Sequence, residues 1–548
     1  MGLPSYSNTA KALRLAVSFL VVSVAVASAS CESRAPPAEQ GVDSAPLVLR
    51  RGLGGQPGSL DPQRAEDAFS FDVLRDLYEG LTTGSPSGEV VPAAAESWSV
   101  DAAGTRYTFR LRGSARWSNG DPVLARHFVH ALRRAVDPAT ASGGADLLRG
   151  IVNAPAILAG ELPAEKLAVR AANDHVLEIA LSQPIPYLPD ILTNTIASPV
   201  HDSSLTAAGG FSKGGATVSN GPYSLAEVVP GSVLRLERNT YYWNSAAVTF
   251  DEVRYELMPD ENAEFNRFRA GELDVTNNVP EPRFQELART PNSGLQHRAA
   301  LATFYFSFNS ERGPLSRQRG LREALSLAID REAITSSITR AGQVPAYSLV
   351  AEGVWNYTPA AYQWRDAAAA ERLAKARALY AASGHTASKP LRLRMLYNEN
   401  DLIQRVCVAI ASMWKQELGV ETELVQMEFR AYLAARADPA KWDVVRVGWS
   451  ADYNDASSFL DTMMDGSPQN FGRWSNAKYA GLMAHAAKEP GTARRRLLLQ
   501  QAEQLMLEDY PILPVYFYVT RRLVRPRISA PPIDPMNRTY SRHFSITD

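Results

Sequence analysis

The sequence predicts a mixed α/β protein built from two or three lobes rather than one core. At 548 residues the chain exceeds what a single core normally supports. Past residue 46, short β-branched runs alternate with helically spaced segments, with no internal repeat and no low-complexity tract. A cleft between lobes is the expected place for a ligand.

From the N-terminus, Lys11 and Arg14 precede an apolar run over 15–29 that is too short and too rich in small residues for a permanent membrane span. It reads as an export signal, so the chain is expected to leave the cytoplasm. The signal ends in Ser28-Ala29-Ser30-Cys31, an arrangement similar to the bacterial lipoprotein signal, and Cys31 is the expected lipidation site. Ala27-Ser28-Ala29 as an ordinary cleavage site is the other reading. Residues 32–45 are polar and Pro-rich, as a flexible tether would be. The second of the two cysteines, Cys407, lies in an apolar run and is expected as a buried core thiol. Lys plus Arg (57) balance Asp plus Glu (58) with no long basic run, which argues against a nucleic-acid partner.

Strands are expected over 47–51, 107–111, 176–181, 233–237, 253–258, 391–397, 421–427 and 512–519, where β-branched and aromatic residues cluster. Asn119-Gly120-Asp121-Pro122 marks a tight turn, followed by an amphipathic helix over 122–136. Apolar residues at Leu321, Ala324, Leu325, Ala328 and Ile329 predict one helix over 321–337.

The segment 442–454, WDVVRVGWSADYN, sets Asp452 among Trp449, Ala451 and Tyr453. A carboxylate in apolar surroundings is costly unless a cation meets it. The residues alone leave two readings open: Asp452 caps a turn or pairs with Arg446, or it awaits a cationic ligand.

Several motifs follow one another in a distinctive order. They include Ser59-Leu60-Asp61-Pro62, Leu77-Tyr78-Glu79-Gly80-Leu81, Ala95-Glu96-Ser97-Trp98, Trp117-Ser118-Asn119-Gly120, Asn220-Gly221-Pro222-Tyr223, Tyr242-Trp243-Asn244, Ala328-Ile329-Asp330-Arg331 and a closing Pro514-Val515-Tyr516-Phe517-Tyr518-Val519. In this the chain resembles the peptide-binding proteins of bacterial ABC importers, family 5 of the solute-binding proteins. The resemblance spans nearly the whole mature chain. It implies a periplasmic-binding-protein-like two-lobed clamp with an extra third domain. By the same resemblance lobe I takes residues 46–78, 215–301 and 520–548, lobe II takes 79–214, and lobe III takes 302–519.

The resemblance also implies a site. Asp452 matches the family's aspartate for a peptide ammonium, a charge-assisted contact contributing about 1.5–3 kcal/mol. Closure without ligand would bury that carboxylate unpaired, at about 3–5 kcal/mol, so closed protein should be scarce until a cation arrives. Main-chain groups near Gly448 and in the strand 300–309 would hold the peptide backbone as an added strand. Trp449, Phe429, Tyr305 and Tyr518 match pocket-lining aromatic positions, Phe429 standing where a relative has Trp; ordinary core packing is the alternative for any one of them. Arg446 and Arg436 fall at basic positions suited to a carboxylate; pairing of Arg446 with Asp443 or Asp452 is the structural alternative. Glu66, Asn277 and Asn278 align with cleft residues, and Ile403 replaces a His near the far end of bound peptides.

The expected function is an extracytoplasmic receptor that passes short peptides, largely regardless of side chain, to an ABC permease in the inner membrane. It is expected to be a periplasmic monomer, attached to a membrane by its lipid anchor, with no enzymatic activity, cofactor or metal. Murein tripeptide, dipeptides or another small solute are alternative ligands, and an exported hydrolase is the rival class. The rival's motifs fail on context: Gly210-Phe211-Ser212-Lys213-Gly214 follows a Gly/Ala-rich loop rather than a strand, and the Ser-x-x-Lys matches at Ser412 and Ser475 lack a companion Lys-Thr-Gly. His127 and His130, one helical turn apart, show no third ligand nearby and are expected as packing or surface residues.

Overall fold

The computed structural model describes residues 45–206, 211, 217–386 and 388–547. The export signal, Cys31, most of the tether, Gly210 and residues 212–214 lie outside them.

Three principal sheets organise the described residues. The first runs Val48–Leu53, Glu252–Leu257, Val233–Arg238, Tyr223–Val229, with its first pair parallel and the others antiparallel. The second, Ala95–Val100, Arg106–Leu111, Val176–Ala180, Val169–Asn173, is antiparallel throughout. The third has six strands in the order Val344–Pro345, Ile512–Leu523, Leu295–Phe308, Val444–Ser450, Arg392–Asn398, Glu421–Met427, and it is mixed.

Burial divides these sheets into two bodies. One apolar cluster gathers Leu49, Phe109, Phe128, Leu177, Leu234 and Val253 and spans both four-stranded sheets. A separate cluster, including Phe304, Leu325, Leu396, Ile410, Val445 and Met506, fills the space between the six-stranded sheet and its helices. Two cores of this kind make two rigid bodies, because close-packed interiors move as units. The strands Leu295–Phe308 and Ile512–Leu523 connect them. Their first-body ends, Leu295 and Leu523, pack with Met258, Phe265 and Leu273, whereas Phe304 and Phe517 belong to the large second core. The ladder between the two strands is irregular between Ala299 and Thr303. Such a break interrupts the ladder locally and lets the strands bend where one body hands over to the other. The architecture is a two-lobed α/β clamp.

All eight expected strands are present. Seven end within two residues of the expected limits, and the eighth continues past 519 to Leu523. The helices need correction. The helix expected over 122–136 begins at Ala125, because Pro122 and Val123 still run extended and His127 Nδ1 accepts the Leu124 N–H at 3.1 Å as a cap. The single helix expected over 321–337 is broken: Arg319–Leu327 stops, and Asp330 caps a new turn by accepting the Ala333 N–H at 2.8 Å. The break seats Arg331, fully buried, where its guanidinium donates to the carbonyls of Ala346, Pro514 and Ser326 at 2.8–3.1 Å.

Several distinctive motifs prove to be structural. Glu79 accepts from the Tyr242 hydroxyl at 2.5 Å and from Trp243 Nε1 at 2.7 Å, and Arg542 lies 3.3 Å away. Asn220 clasps the Glu79 backbone in both directions, at 3.1 and 2.8 Å. A buried carboxylate so fully satisfied locks segments distant in the chain together. His127 is structural as well: its Nδ1 also accepts from Trp117 Nε1 at 3.2 Å, and burial holds the imidazole neutral by lowering its pKa to about 4. Cys407 is a buried free thiol.

Candidate functional site

The strand Val444–Ser450 pairs along its whole length with Leu295–Phe308. On its other side Arg392–Asn398 reaches it only at Val444 and Val445. Beyond Val445 that side is an open strand edge among the described residues, with the Arg446 carbonyl accepting from the Tyr432 hydroxyl. An unpaired run of N–H and C=O groups is a ready template for another extended chain.

A cavity of about 390 Å³ lies at this strand's C-terminal half. Its walls are residues 300–302 and 518–520 of the two crossing strands, Arg446 and 448–451, and the turn 535–537. The Arg446 Nη2 donates to the Tyr518 hydroxyl at 2.7 Å, Nη1 stands 3.5 Å from the Asn398 amide oxygen, and the guanidinium sits 5.0 Å from the Phe304 ring. Among the described residues no carboxylate pairs with it. Asp443, its suspected structural partner, is held instead by the Arg394 Nε at 3.2 Å. Gly448 leaves room for this packing: a Cβ there would stand 3.0 Å from the Tyr518 oxygen and 3.4 Å from the Arg446 Nη2, so both side chains would have to give. Trp449 lines the same cavity, with its Nε1 buried and lacking a hydrogen-bond partner among the described residues.

Asp452 follows one residue beyond the cavity wall. Its backbone N–H donates to the Ser458 hydroxyl at 2.9 Å, which fixes the turn. Among the described residues no hydrogen bond or ion pair reaches its carboxylate. The residue remains open to water, yet the protein atoms crowded around it raise its carboxyl above the usual range, with no charge opposing the shift. Crowding combined with water access is the condition of a group inside a solvent-filled cleft. Neither the turn-capping reading nor a pair with Arg446 describes this carboxylate.

The remaining expected residues divide. Arg446, Gly448, Trp449 and Tyr518 come together around the cavity. Phe429 and Arg436 lie at the two ends of the flanking helix Phe429–Arg436; Phe429 is 53% exposed, and the Arg436 guanidinium stacks 4.1 Å over Phe471. Tyr305 is a correction: only 1% exposed, it faces the core rather than a pocket, because the strand from Leu301 to Phe308 is buried on both faces. Asn277, Asn278 and Glu66 belong to the first body. Glu264 accepts the Asn277 N–H at 2.6 Å, Glu261 accepts from the Asn278 side chain at 2.7 Å, and Glu66 packs against Gly143. None of the three lines the cavity around Arg446. Ile403 is buried near the start of the helix Asp401–Leu418.

Sequence reading missed Asn398, Thr520 and the turn 535–537. Its one visible signal is Asn537, which takes a left-handed φ of 55° in an Asp-Pro-Met-Asn turn. No group of three or more His, Cys, Asp or Glu side chains among the described residues is arranged to hold a metal ion.

Residues 89–471 match the model of the bacterial extracellular solute-binding proteins, family 5 middle region. The chain belongs to family 5 of the bacterial extracellular solute-binding proteins. It is 36% identical over 507 residues to the periplasmic oligopeptide-binding protein OppA of Escherichia coli strain K12, covering 91% of this chain and 92% of that one. The murein tripeptide-binding protein MppA in an unliganded open form superposes with a TM-score of 0.84 at 33% identity, covering 92% and 98% of the two chains. Haemophilus influenzae OppA in complex with the peptide RPPGFSPFR superposes with a TM-score of 0.73 at 30% identity, covering 92% and 100%. No described helix is long and apolar enough to cross a membrane.

Proposed function

We propose that this chain is an extracytoplasmic receptor of an ABC importer, which captures short peptides between its two bodies and delivers them to an inner-membrane permease without chemical change. The observation that carries the reading is the uncompensated carboxylate of Asp452, set beside an open strand edge and an equally uncompensated Arg446. A peptide of any sequence offers an ammonium group, a backbone of alternating donors and acceptors, and a carboxylate, and each has its counterpart here. The ammonium docks on Asp452. The backbone adds to the free edge of 446–450, near Gly448, where pairing is blind to side-chain identity. The carboxylate is met by Arg446, with Arg436 further along the flanking helix, while Trp449, Tyr518 and Phe429 border space for side chains. The relatives named for oligopeptides and murein tripeptide, and the peptide-bound relative, support the same ligand class.

This arrangement also accounts for gating. In the open clamp water solvates Asp452; closing over an empty site removes that water and leaves an unpaired charge, at about 3–5 kcal/mol. A bound ammonium removes the penalty and shifts the population to the closed form. In this reading lobe I takes residues 46–78, 215–301 and 520–548, lobe II 79–214 and lobe III 302–519. The mature protein is a periplasmic monomer anchored through an acylated Cys31, and Cys31→Ser should move it from the membrane to the soluble fraction. Calorimetric titration with tri-, tetra- and pentapeptides tests the function: saturable one-to-one binding is expected, and no binding at millimolar peptide would refute it.

A further inference from the structure

The cavity walls come from the connecting strands, the strand Val444–Ser450 and the turn 535–537, and none comes from the second four-stranded sheet or its helices. Yet a residue of that region reaches the site. Tyr187, which opens the short helix Leu188–Ile191, stacks face to face on Tyr453, with ring centroids 4.4 Å apart and planes 3° from parallel. Tyr453 immediately follows Asp452 and packs against the apolar core of the opposite body. One turn further, the buried Asp190 accepts the backbone N–H of Asn454 at 2.6 Å through one carboxylate oxygen. Its other oxygen holds Arg538 at 2.8 Å, next to the cavity-lining turn 535–537. On the far side of the turn, Asp455 is gripped bidentately by Arg495 at 2.7 and 2.8 Å, and that guanidinium sits 5.1 Å from the Tyr187 ring.

We propose that Tyr187 and Asp190 are positioning residues for Asp452: the body opposite the six-stranded sheet acts on ligand capture by seating the turn that carries the ammonium-binding carboxylate. The inference rests on the ammonium role of Asp452. The turn is held by different partners: Ser458 of its own body accepts the Asp452 N–H, while from the other body Tyr187 stacks on the Tyr453 ring and Asp190 accepts the Asn454 N–H. Among the described residues the Asp452 carboxylate accepts no hydrogen bond, so its direction is set by how the turn is held. Loss of the clamp leaves the acid present but poorly aimed, and a charge-assisted hydrogen bond depends steeply on geometry.

The test compares trialanine with N-acetyltrialanine by calorimetry in the full mature chain. The wild type should favour the free amine at least tenfold. Tyr187→Ala should reduce that preference by at least fivefold, chiefly through weaker binding of trialanine, and Tyr187→Phe, which keeps the stack, should restore it. The double variant Tyr187→Ala/Tyr453→Ala should be no worse than either single variant, as expected of two residues acting through one contact. If the wild type itself fails to discriminate, the ammonium role of Asp452 falls, and this inference with it. If the wild type discriminates and Tyr187→Ala does so equally well, or loses both ligands in the same proportion, the positioning claim alone is overturned. Should Tyr187→Ala not unfold cooperatively, Tyr453→Ala, read from the other side of the stack, carries the same expectation and the same refutation.

Discussion

Replacing Arg446 by Met separates function from stability in a way that follows directly from the geometry. The guanidinium is half-buried beside Phe304, with a neutral hydroxyl 2.7 Å away and no carboxylate partner among the described residues. In the ligand-free protein its removal loses a hydrogen bond to a charged group, about 1.5–3 kcal/mol, and relieves the desolvation of an unpaired charge of similar size. The two nearly cancel, so the midpoint of thermal unfolding should move by less than about 4 °C. Peptide binding has no such compensation. A ligand carboxylate that loses its guanidinium gives up about 1.5–3 kcal/mol, roughly a 10- to 150-fold rise in Kd. The assay is calorimetric titration of wild type and variant with one tripeptide as its free acid and as its C-terminal amide. The acid should weaken by that factor and the amide by less than about twofold. Equal losses for acid and amide would refute the carboxylate role, and destabilisation beyond about 3 kcal/mol would show that Arg446 is chiefly structural.

Three further outcomes follow from the same geometry. Gly448→Val should weaken peptides of every sequence by a similar factor, about 5-fold or more, because it crowds Tyr518 and Arg446 beside the open edge; an effect confined to particular side chains would contradict backbone pairing. Tyr305→Phe should leave peptide affinity within about twofold of wild type, since the ring is buried behind the strand. Glu503, fully buried beneath the Val350 and Ala360 N–H groups and the Tyr357 hydroxyl, has its pKa pushed by burial from 4.5 up to about 7. Its folded value lies above its unfolded value, so the stabilising contribution is complete below pH 4.5 and lost as pH rises through about 7, of order 3 kcal/mol in all. Denaturant melts at pH 5 and 7.5 should therefore show a smaller drop in Glu503→Gln than in wild type, and identical drops would refute the assignment.

Local sequence signals went far with the strands and less far with what lies between them. The run 421–427 mixes β-branched Thr422 and Val425 with apolar and polar neighbours and holds no Gly or Pro, and the strand occupies those residues. The helix expected over 321–337 fails because apolar spacing carries through Asp330, whose preference for capping outweighs the pattern and whose break seats the buried Arg331. In the site, Asp452 stood out as an acid among aromatic residues, and Arg446, Gly448, Trp449 and Tyr518 came from family resemblance. Tyr305 was misplaced because a strand buried on both faces has no alternation to reveal which side meets the cleft. Tyr187 and Asp190 had no signal at all, since their partners lie more than 260 residues along the chain and meet them only when the two bodies come together.

In the proposed function one uncompensated carboxylate captures the ligand's amine. Titration of wild type and Asp452→Ala with a tripeptide, free and N-acetylated, across pH 3 to 8 measures it. The wild type should bind the free amine at least tenfold more tightly, about 1.4 kcal/mol. Its affinity should fall as pH drops through the raised carboxyl pKa, because protonation removes the charge the ammonium needs. Asp452→Ala should lose both the preference and this pH dependence. Equal affinity of wild type for free and acetylated peptide at pH 7 would overturn the ammonium role of Asp452.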